Sequence, residues 1–147
     1  MSQNNKFRIE FLSKSENESF IRSVVGCFML NLNPSIAEIA DVKTAVSEAV
    51  TNSIVHGYGK ETGNIILDAE IEGNNLHINI CDFGKGIDDL QKALEPFYTT
   101  SPEDERSGMG FTIMESFSDE LHIESDVGHG TIITFTKKFS PVQAIAM

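Results

Sequence analysis

Two periodic patterns of hydrophobic residues occur at the start of the chain. Apolar and polar residues alternate from Lys6 to Leu12, which predicts a β-strand. Ser15 and Glu18 then form the sequence pattern of a capping box, so a first helix should begin there. An apolar residue recurs every fourth position along this helix and indicates its buried face. The members of that face are Phe20, Val24, Phe28 and Leu32.

A second helix is predicted after Asn33-Pro34, where Ser35 and Glu38 repeat the capping-box pattern. Gly57 and Gly59 should end it. We expect its core-facing residues to be Ile36, Ile39, Ala40, Val46, Ala49, Val50 and Ile54.

The rest of the chain alternates between strand patterns and turns. The predicted strands are 64–72, 76–82, 122–126 and 131–137, with turns at 73–75 and 128–130. A long segment from Phe83 to Gly110 should contain a short helix at 88–94, and a third main helix is predicted at 109–117. Strands with interspersed helices are typical of an α+β two-layer sandwich.

Length and charge narrow the class of protein. A chain of 147 residues suits one compact domain, which we expect to span residues 1–140 and to leave 141–147 as a short tail. The net charge of −11 disfavours direct binding to nucleic acid, which needs a basic face.

The cysteines and the apolar stretches predict the cellular compartment of the protein. Cys27 and Cys81 lie far apart in apolar segments, which favours buried free thiols in a reducing cytoplasm. The stretch from Val24 to Leu30 is shorter than the roughly 20 residues of a membrane span. Because Met1 to Asn5 is polar, we expect no secretory signal, no membrane association and a cytoplasmic location.

Glu48 and Asn52 are the first candidates for chemistry. They are four residues apart on the second helix and therefore lie on one face, a turn from each other. A solvated helix face is the ordinary explanation of such a pair. However, the surrounding residues are small and apolar, so a carboxylate here costs free energy unless it is used.

A glycine motif, Asp82-Phe83-Gly84-Lys85-Gly86, directly follows a strand. Its glycines let the backbone turn tightly and approach a ligand. Asp82 could accept a hydrogen bond from the exocyclic amine of adenine, whereas guanine would present a repulsive carbonyl oxygen. Such a bond contributes about 1.5–3 kcal/mol. An ordinary turn remains the alternative.

A second glycine-rich turn opens the third helix. It comprises Arg106, Ser107, Gly108, Met109 and Gly110, and Thr99-Thr100 precedes it. Backbone N–H groups at a helix start can bind an anion. Arg106 could reach a terminal phosphate or simply pair with Glu103 or Glu105. The turn matches neither a Walker loop nor a dinucleotide fingerprint.

The order of these motifs resembles the GHKL ATPases. The correspondence joins Glu48…Asn52, Asp82-x-Gly84-x-Gly86, Gly108-x-Gly110 and Gly128-x-Gly130-Thr131. Four further segments are similar to the small bacterial anti-sigma kinases, namely 17–20, 47–52, 56–58 and 96–100. Residues 105–115 resemble the sporulation branch of that group.

The resemblance implies a fold and a role for each residue. The fold would be the GHKL (Bergerat) α/β sandwich, with a mixed, mostly antiparallel sheet covered by helices on one face. Glu48 would be the general base and Asn52 the ligand of Mg²⁺, with ATP as the nucleotide. Asp82 and Thr131 would read adenine, and Gly84 and Gly86 would shape that end of the site. The phosphate end and lid would comprise Thr99, Thr100, Arg106, Ser107, Gly108, Met109 and Gly110.

The resemblance also implies partners. We expect a homodimer formed by the first strand and first helix, with Arg22 contacting protein partners. The chain would bind a sporulation sigma factor in an ATP-dependent manner and phosphorylate a serine of the anti-anti-sigma antagonist. The alternative is a non-catalytic ATP-gated binding switch. Histidine kinase activity is disfavoured, because none of the four histidines lies in a plausible phosphoacceptor helix.

Overall fold

The computed structural model describes residues 4–89 and 110–140. The strands are β1 (Asn5–Leu12), β2 (Asn64–Glu72), β3 (Asn75–Asp82), β4 (Glu120–Asp126) and β5 (Gly130–Lys138). The α-helices are α1 (Glu16–Phe28), α2 (Ile36–Asn52) and α3 (Gly110–Ser116). A 3₁₀ turn, Met29–Leu32, extends α1, and a π-helix, Ser53–Tyr58, extends α2. Asp88 and Asp89 are not helical, and the rest of the short helix predicted there lies outside the described residues.

The five strands form one sheet in the order β1-β2-β3-β5-β4. Every pairing among them is antiparallel, so the expected α+β fold is confirmed and this part of the sheet has no parallel pair. In the register of β3 and β5, Asp82 lies opposite Thr131. The sheet therefore brings together two residues that are 49 positions apart in the sequence.

Helices cover one face of the sheet, and the core lies between the two layers. Along β3, Leu76, Ile78 and Ile80 alternate toward this core and are fully buried. The opposing face of α2 is also fully buried and consists of Val42, Ala45, Val46, Ala49 and Val50. Burial of this apolar surface, at about 25 cal/mol per Å², holds α2 against the sheet. No helix in the described ranges is both long and apolar enough to span a membrane.

Leu32 is buried as predicted, but the buried face of α1 before it is displaced from the predicted one by a single position. Ile21, Val25 and Met29 are fully buried, whereas Phe20 is 53% exposed. Both sets recur every four residues, so spacing alone does not distinguish two neighbouring helix faces. Phe28 packs edge-to-face against Phe7 of β1, with ring centroids 4.7 Å apart, at the margin of the core.

The two predicted capping boxes have different outcomes. At Ser35, the Glu38 N–H donates to Ser35 Oγ at 3.0 Å and the Ser35 N–H donates to Glu38 Oε1 at 2.9 Å, so that box is confirmed. Ser15 makes no capping hydrogen bond, and the box predicted there is wrong. The backbone of Ser15 is already helical, whereas a capping residue needs the extended conformation that Ser35 has.

Two expectations about burial were also wrong. Ile36 is 87% exposed and Ala40 is exposed, because the first turns of α2 extend beyond the core. Both cysteines are free thiols as expected, but Cys27 is exposed on α1 and Cys81 is only half-buried.

Candidate functional site

Asp82, the last residue of β3, is a buried carboxylate with an unpaired oxygen. Its side chain is 1% exposed, and Oδ1 accepts the Gly84 N–H at 3.0 Å. Oδ2 is buried and has no hydrogen-bond partner among the described residues. Burial raises the pKa of this carboxyl group, and the Gly84 N–H opposes that shift. An unpaired buried oxygen is rare in a folded protein and is typical of a site that receives a ligand.

Ser53 lies beside this carboxylate. It is fully buried in the first turn of the π-helix, and its hydroxyl contributes to lowering the Asp82 pKa. Even so, neither Ser53 Oγ nor Asp82 Oδ2 completes a hydrogen bond in the described part of the chain. Two adjacent buried polar atoms therefore have unused hydrogen-bonding capacity. The sequence analysis missed Ser53, since a serine after Asn52 carries no signal of its own.

The glycine motif after Asp82 packs against neighbouring backbone. A Cβ at Gly84 would collide with the Gly57 carbonyl, and one at Gly86 would collide with the Asp126 carbonyl. Gly86 also has a φ of +77°, which side chains rarely adopt. The glycines are thus needed for backbone-to-backbone contact, in addition to any approach to a ligand. Lys85 N–H donates to the Gly57 carbonyl at 2.9 Å and completes this contact.

Thr131 is held on the other side of Asp82 by Ser125. The hydroxyls of these two residues are 2.8 Å apart, and Thr131 is only 3% exposed. Ser125 Oγ also accepts the Ile87 N–H at 2.8 Å, and so links β4 and β5 to the end of the glycine motif. Ser125 was another residue that the sequence analysis missed, because its role depends on strand pairing.

Glu48 and Asn52 lie on α2 as predicted, and both are half-buried. A Cβ placed on Gly110 would lie 3.4 Å from Glu48 Oε2, so the carboxylate is next to the first residue of α3. The structure therefore brings together Glu48 and the only described residue of the second glycine-rich turn. Thr99, Thr100, Arg106, Ser107, Gly108 and Met109 lie outside the described residues, and their roles stay predictions.

Arg22 lies on α1 and is half-exposed. Its Nε is 3.6 Å from Glu18 Oε1, one helical turn earlier. The Glu18 side chain is 20% exposed and its Oε1 is buried with no hydrogen-bond partner among the described residues, so the guanidinium is the charged group nearest to a largely buried carboxylate.

A hollow of about 460 Å³ opens near the ends of β3, β4 and β5. It is lined in part by Cys81, Glu124 and Ile132. Because side chains alternate along a strand, these residues point away from the face of Asp82 that meets the π-helix. Asp82, Ser125 and Thr131 also line the hollow, so it borders the surroundings of the Asp82 carboxylate.

Comparison with known proteins shows which family has this arrangement. A family model described as "Histidine kinase-like ATPase domain" matches residues 11–137. A curated relative from Thermoanaerobacter sp. (strain X514), named Anti-sigma F factor, is 54% identical over 137 residues, which cover 93% of this chain and 96% of the relative. The chain belongs to the anti-sigma F factor family. Another anti-sigma F factor, from Clostridium beijerinckii, is 55% identical over 139 residues, or 94% of this chain and 97% of that protein.

The solved structures support the same fold. The RsbU and RsbW domains of Rv1364c from Mycobacterium tuberculosis superpose with a TM-score of 0.67 at 19% identity. The match covers 92% of this chain and 32% of that one. As an anti-sigma F factor, the chain is an anti-sigma protein built on a kinase-like ATPase domain, and a domain of this kind binds ATP. The unpaired oxygen of Asp82 and the glycine contacts around it are compatible with an adenine at that end.

Proposed function

We propose that this protein is a serine protein kinase that also sequesters a sporulation sigma factor. It would hold the sigma factor when ATP is bound, and would phosphorylate a serine of the anti-anti-sigma protein that antagonises it. That phosphorylation would keep the antagonist from releasing the sigma factor. The names of the relatives support the sigma factor as partner.

The position of Glu48 carries the proposal of catalysis. Its carboxylate lies next to Gly110, where the resemblance puts the phosphates of ATP. A negative charge there repels phosphate and weakens binding, so a protein that only binds ATP gains nothing from it. A protein that transfers phosphate needs such a group to accept the proton of the attacking serine hydroxyl. An acid at the position of Glu48 is therefore expected in a protein that transfers phosphate and not in one that only binds ATP.

The other site residues would position the nucleotide. Asp82 would accept the adenine amine through Oδ2, with Thr131 supporting that end. Asn52, one helical turn after Glu48, would hold Mg²⁺ together with the phosphates. When bound, Mg²⁺ neutralises phosphate charge and aligns the transferred group. Gly108 and Gly110 would leave backbone N–H groups accessible to the phosphates, and Arg106 would approach the terminal one.

Transfer of labelled phosphate tests this proposal. The protein is incubated with radiolabelled ATP, Mg²⁺ and the paired anti-anti-sigma protein, and the wild type is compared with Glu48→Gln. We expect label on a serine of the partner, and a loss of at least about a hundredfold in rate for the variant, the usual size of a general-base contribution. Glu70→Gln, the same change at an exposed position of β2, should keep the wild-type rate.

One result would contradict the role of Glu48, and another would contradict the kinase. Unchanged transfer by Glu48→Gln would exclude the carboxylate as base. ATP-dependent sigma factor binding without any label on the antagonist would instead establish the alternative, an ATP-gated binding switch.

The proposal includes assembly into a homodimer in the cytoplasm. Leu12 at the end of β1 is 44% exposed and Phe20 on α1 is 53% exposed. Large apolar side chains exposed on the two elements expected to dimerise are suited to a contact with a second copy. Light scattering of the purified chain measures its mass, and a monomer of 16.2 kDa at assay concentration would contradict the dimer.

A further inference from the structure

Tyr58, the last residue of the π-helix, occupies an unusual position between two strands. Its hydroxyl donates to the Asn64 carbonyl at 2.5 Å and accepts the Phe83 N–H at 2.8 Å. In the register of β2 and β3, Ile65 lies opposite Asp82, so the next pair in that ladder would be Asn64 and Phe83. The phenol oxygen stands between the backbone groups of that next pair.

The consequence is that the ladder ends at Asp82. Since both backbone groups bond to Tyr58, the chain can leave the sheet at Phe83 without an unpaired donor or acceptor. It then turns so that the Gly84 N–H bonds to Asp82 Oδ1 at 3.0 Å. That bond occupies one carboxylate oxygen and leaves the other unpaired. The Tyr58 hydroxyl thus acts on the geometry of Asp82 through the peptide that follows it.

The aromatic ring of Tyr58 is itself tightly held. A Cβ on Gly63 would collide with the ring, so the chain before β2 packs directly against it. Gly57, the preceding residue, meets the same turn through its carbonyl, which accepts the Lys85 N–H. Burial raises the pKa of the Tyr58 hydroxyl, which keeps its proton for the bond to Asn64 at neutral pH.

We infer that Tyr58 is a positioning residue for recognition of the adenine base. The inference rests on the proposed role of Asp82 in reading the adenine amine and assigns part of that specificity to a residue without base contact. Removal of the hydroxyl would allow Asn64 and Phe83 to pair directly, which extends the ladder by one position. Asp82 would then lose the turn that orients its carboxylate.

The test compares two nucleotides that differ only at the group Asp82 would read. ATP and purine riboside 5′-triphosphate, which lacks the 6-amino group, are titrated by calorimetry into the wild type and Tyr58→Phe. We expect the wild type to prefer ATP, and that preference to fall about five- to tenfold in the variant, the size of one or two lost hydrogen bonds. A general loss of structure would weaken the binding of both nucleotides alike and leave the ratio of their affinities unchanged.

Thr134→Val is the matched control. It also removes one hydroxyl hydrogen bond, from Asn79 Nδ2 at 2.9 Å, but on the face of the sheet opposite α2. It should keep the wild-type preference. An unchanged preference in folded Tyr58→Phe would overturn the positioning role while leaving Asp82 as the base reader. A wild type without any preference would overturn the reading of the base by Asp82, and this inference with it.

Hydrogen exchange supplies a second measurement that does not depend on the variant folding. In the wild type, the Phe83 amide lies beyond the end of β3 but should exchange slowly, because Tyr58 accepts its proton. Exchange of the Phe83 amide at the rate of an unbonded loop amide would overturn the inference.

Discussion

At the scale of single residues, we expect Asp82 to serve ligand binding at the expense of folding. Its carboxylate is almost fully buried, and one of its oxygens has no partner among the described residues. Taking such a group out of water costs free energy unless a ligand or a proton satisfies it. A residue of this kind is expected to improve ATP binding while lowering the stability of the free protein.

The variant Asp82→Asn should separate these two effects. An amide keeps an acceptor for the Gly84 N–H but loses the charge, so ATP affinity should fall about tenfold to a hundredfold. Resistance to urea at neutral pH should stay equal or increase. Asp68→Asn, which alters an exposed ion pair with Arg8, serves as control and should change neither property strongly. Unaltered ATP affinity by calorimetry would contradict the role of Asp82.

The same variant reports the raised pKa of Asp82 through pH. Between the ordinary aspartate pKa of about 4 and the raised native one, the native state holds a proton that the unfolded chain has released. The stabilisation from this group is therefore present at low pH and is lost as pH rises through that range. The unfolding free energy of Asp82→Asn relative to wild type should increase over the same interval. A difference that stays constant with pH would argue against the shift.

At the scale of elements, the two serines that precede helices form a natural comparison. Ser35 takes part in a capping box, whereas the similar pattern at Ser15 does not. Ser35→Ala should lower the unfolding free energy by about 1 kcal/mol. Ser15→Ala, the matched control, should stay within about 0.5 kcal/mol of wild type. Equal losses in urea titrations would mean that the capping geometry of α2 does not determine its stability.

The hydrophobic pattern predicted where the helices and strands lie better than it predicted which of their faces are buried. β2 was predicted with its observed bounds, because its apolar and polar residues alternate between glycines. The buried face of α1 was wrong, because Phe20 and Ile21 begin two equally regular series and the choice between them is made by the sheet. The helical run after Asn52 ends at Tyr58, close to the predicted end at Gly57 and Gly59, but nothing local indicated that residues 53–58 form a π-helix.

The residues of the candidate site also differ in whether the sequence predicts them. Asp82 could be predicted because a carboxylate and two glycines follow a strand, and all three signals are local. Ser53, Tyr58 and Ser125 could not, because each contacts a residue distant in sequence, which for Ser125 is Ile87. Tyr58, for example, meets a backbone group 25 positions away. Such contacts exist only after the sheet has formed.

At the scale of the whole molecule, the partner surface should be separable from the nucleotide site. Arg22 lies on α1, which contacts α2 but supplies none of the residues around Asp82. Arg22→Ala should weaken binding of the sigma factor at least about fivefold, as for a contributing interface arginine. Its ATP affinity should equal that of wild type.

Lys138→Ala, which removes an exposed positive charge at the end of β5, is the control for Arg22. It separates a specific contact from a change in net charge. Equal weakening by the two variants would show that Arg22 acts only through overall charge.

The glycine contacts around Asp82 join segments that are remote in the chain. Gly84 meets Gly57, and Gly130 meets the Asp82 backbone, so the adenine end is complete only when the second half of the sheet has assembled. A nucleotide that binds there recognises the finished fold and not its parts. By mass action, ligand at a hundred times its Kd adds about 2.7 kcal/mol to the unfolding free energy. We therefore expect bound ATP to stabilise the whole fold, so that the lifetime of the chain against proteolysis should increase with nucleotide supply.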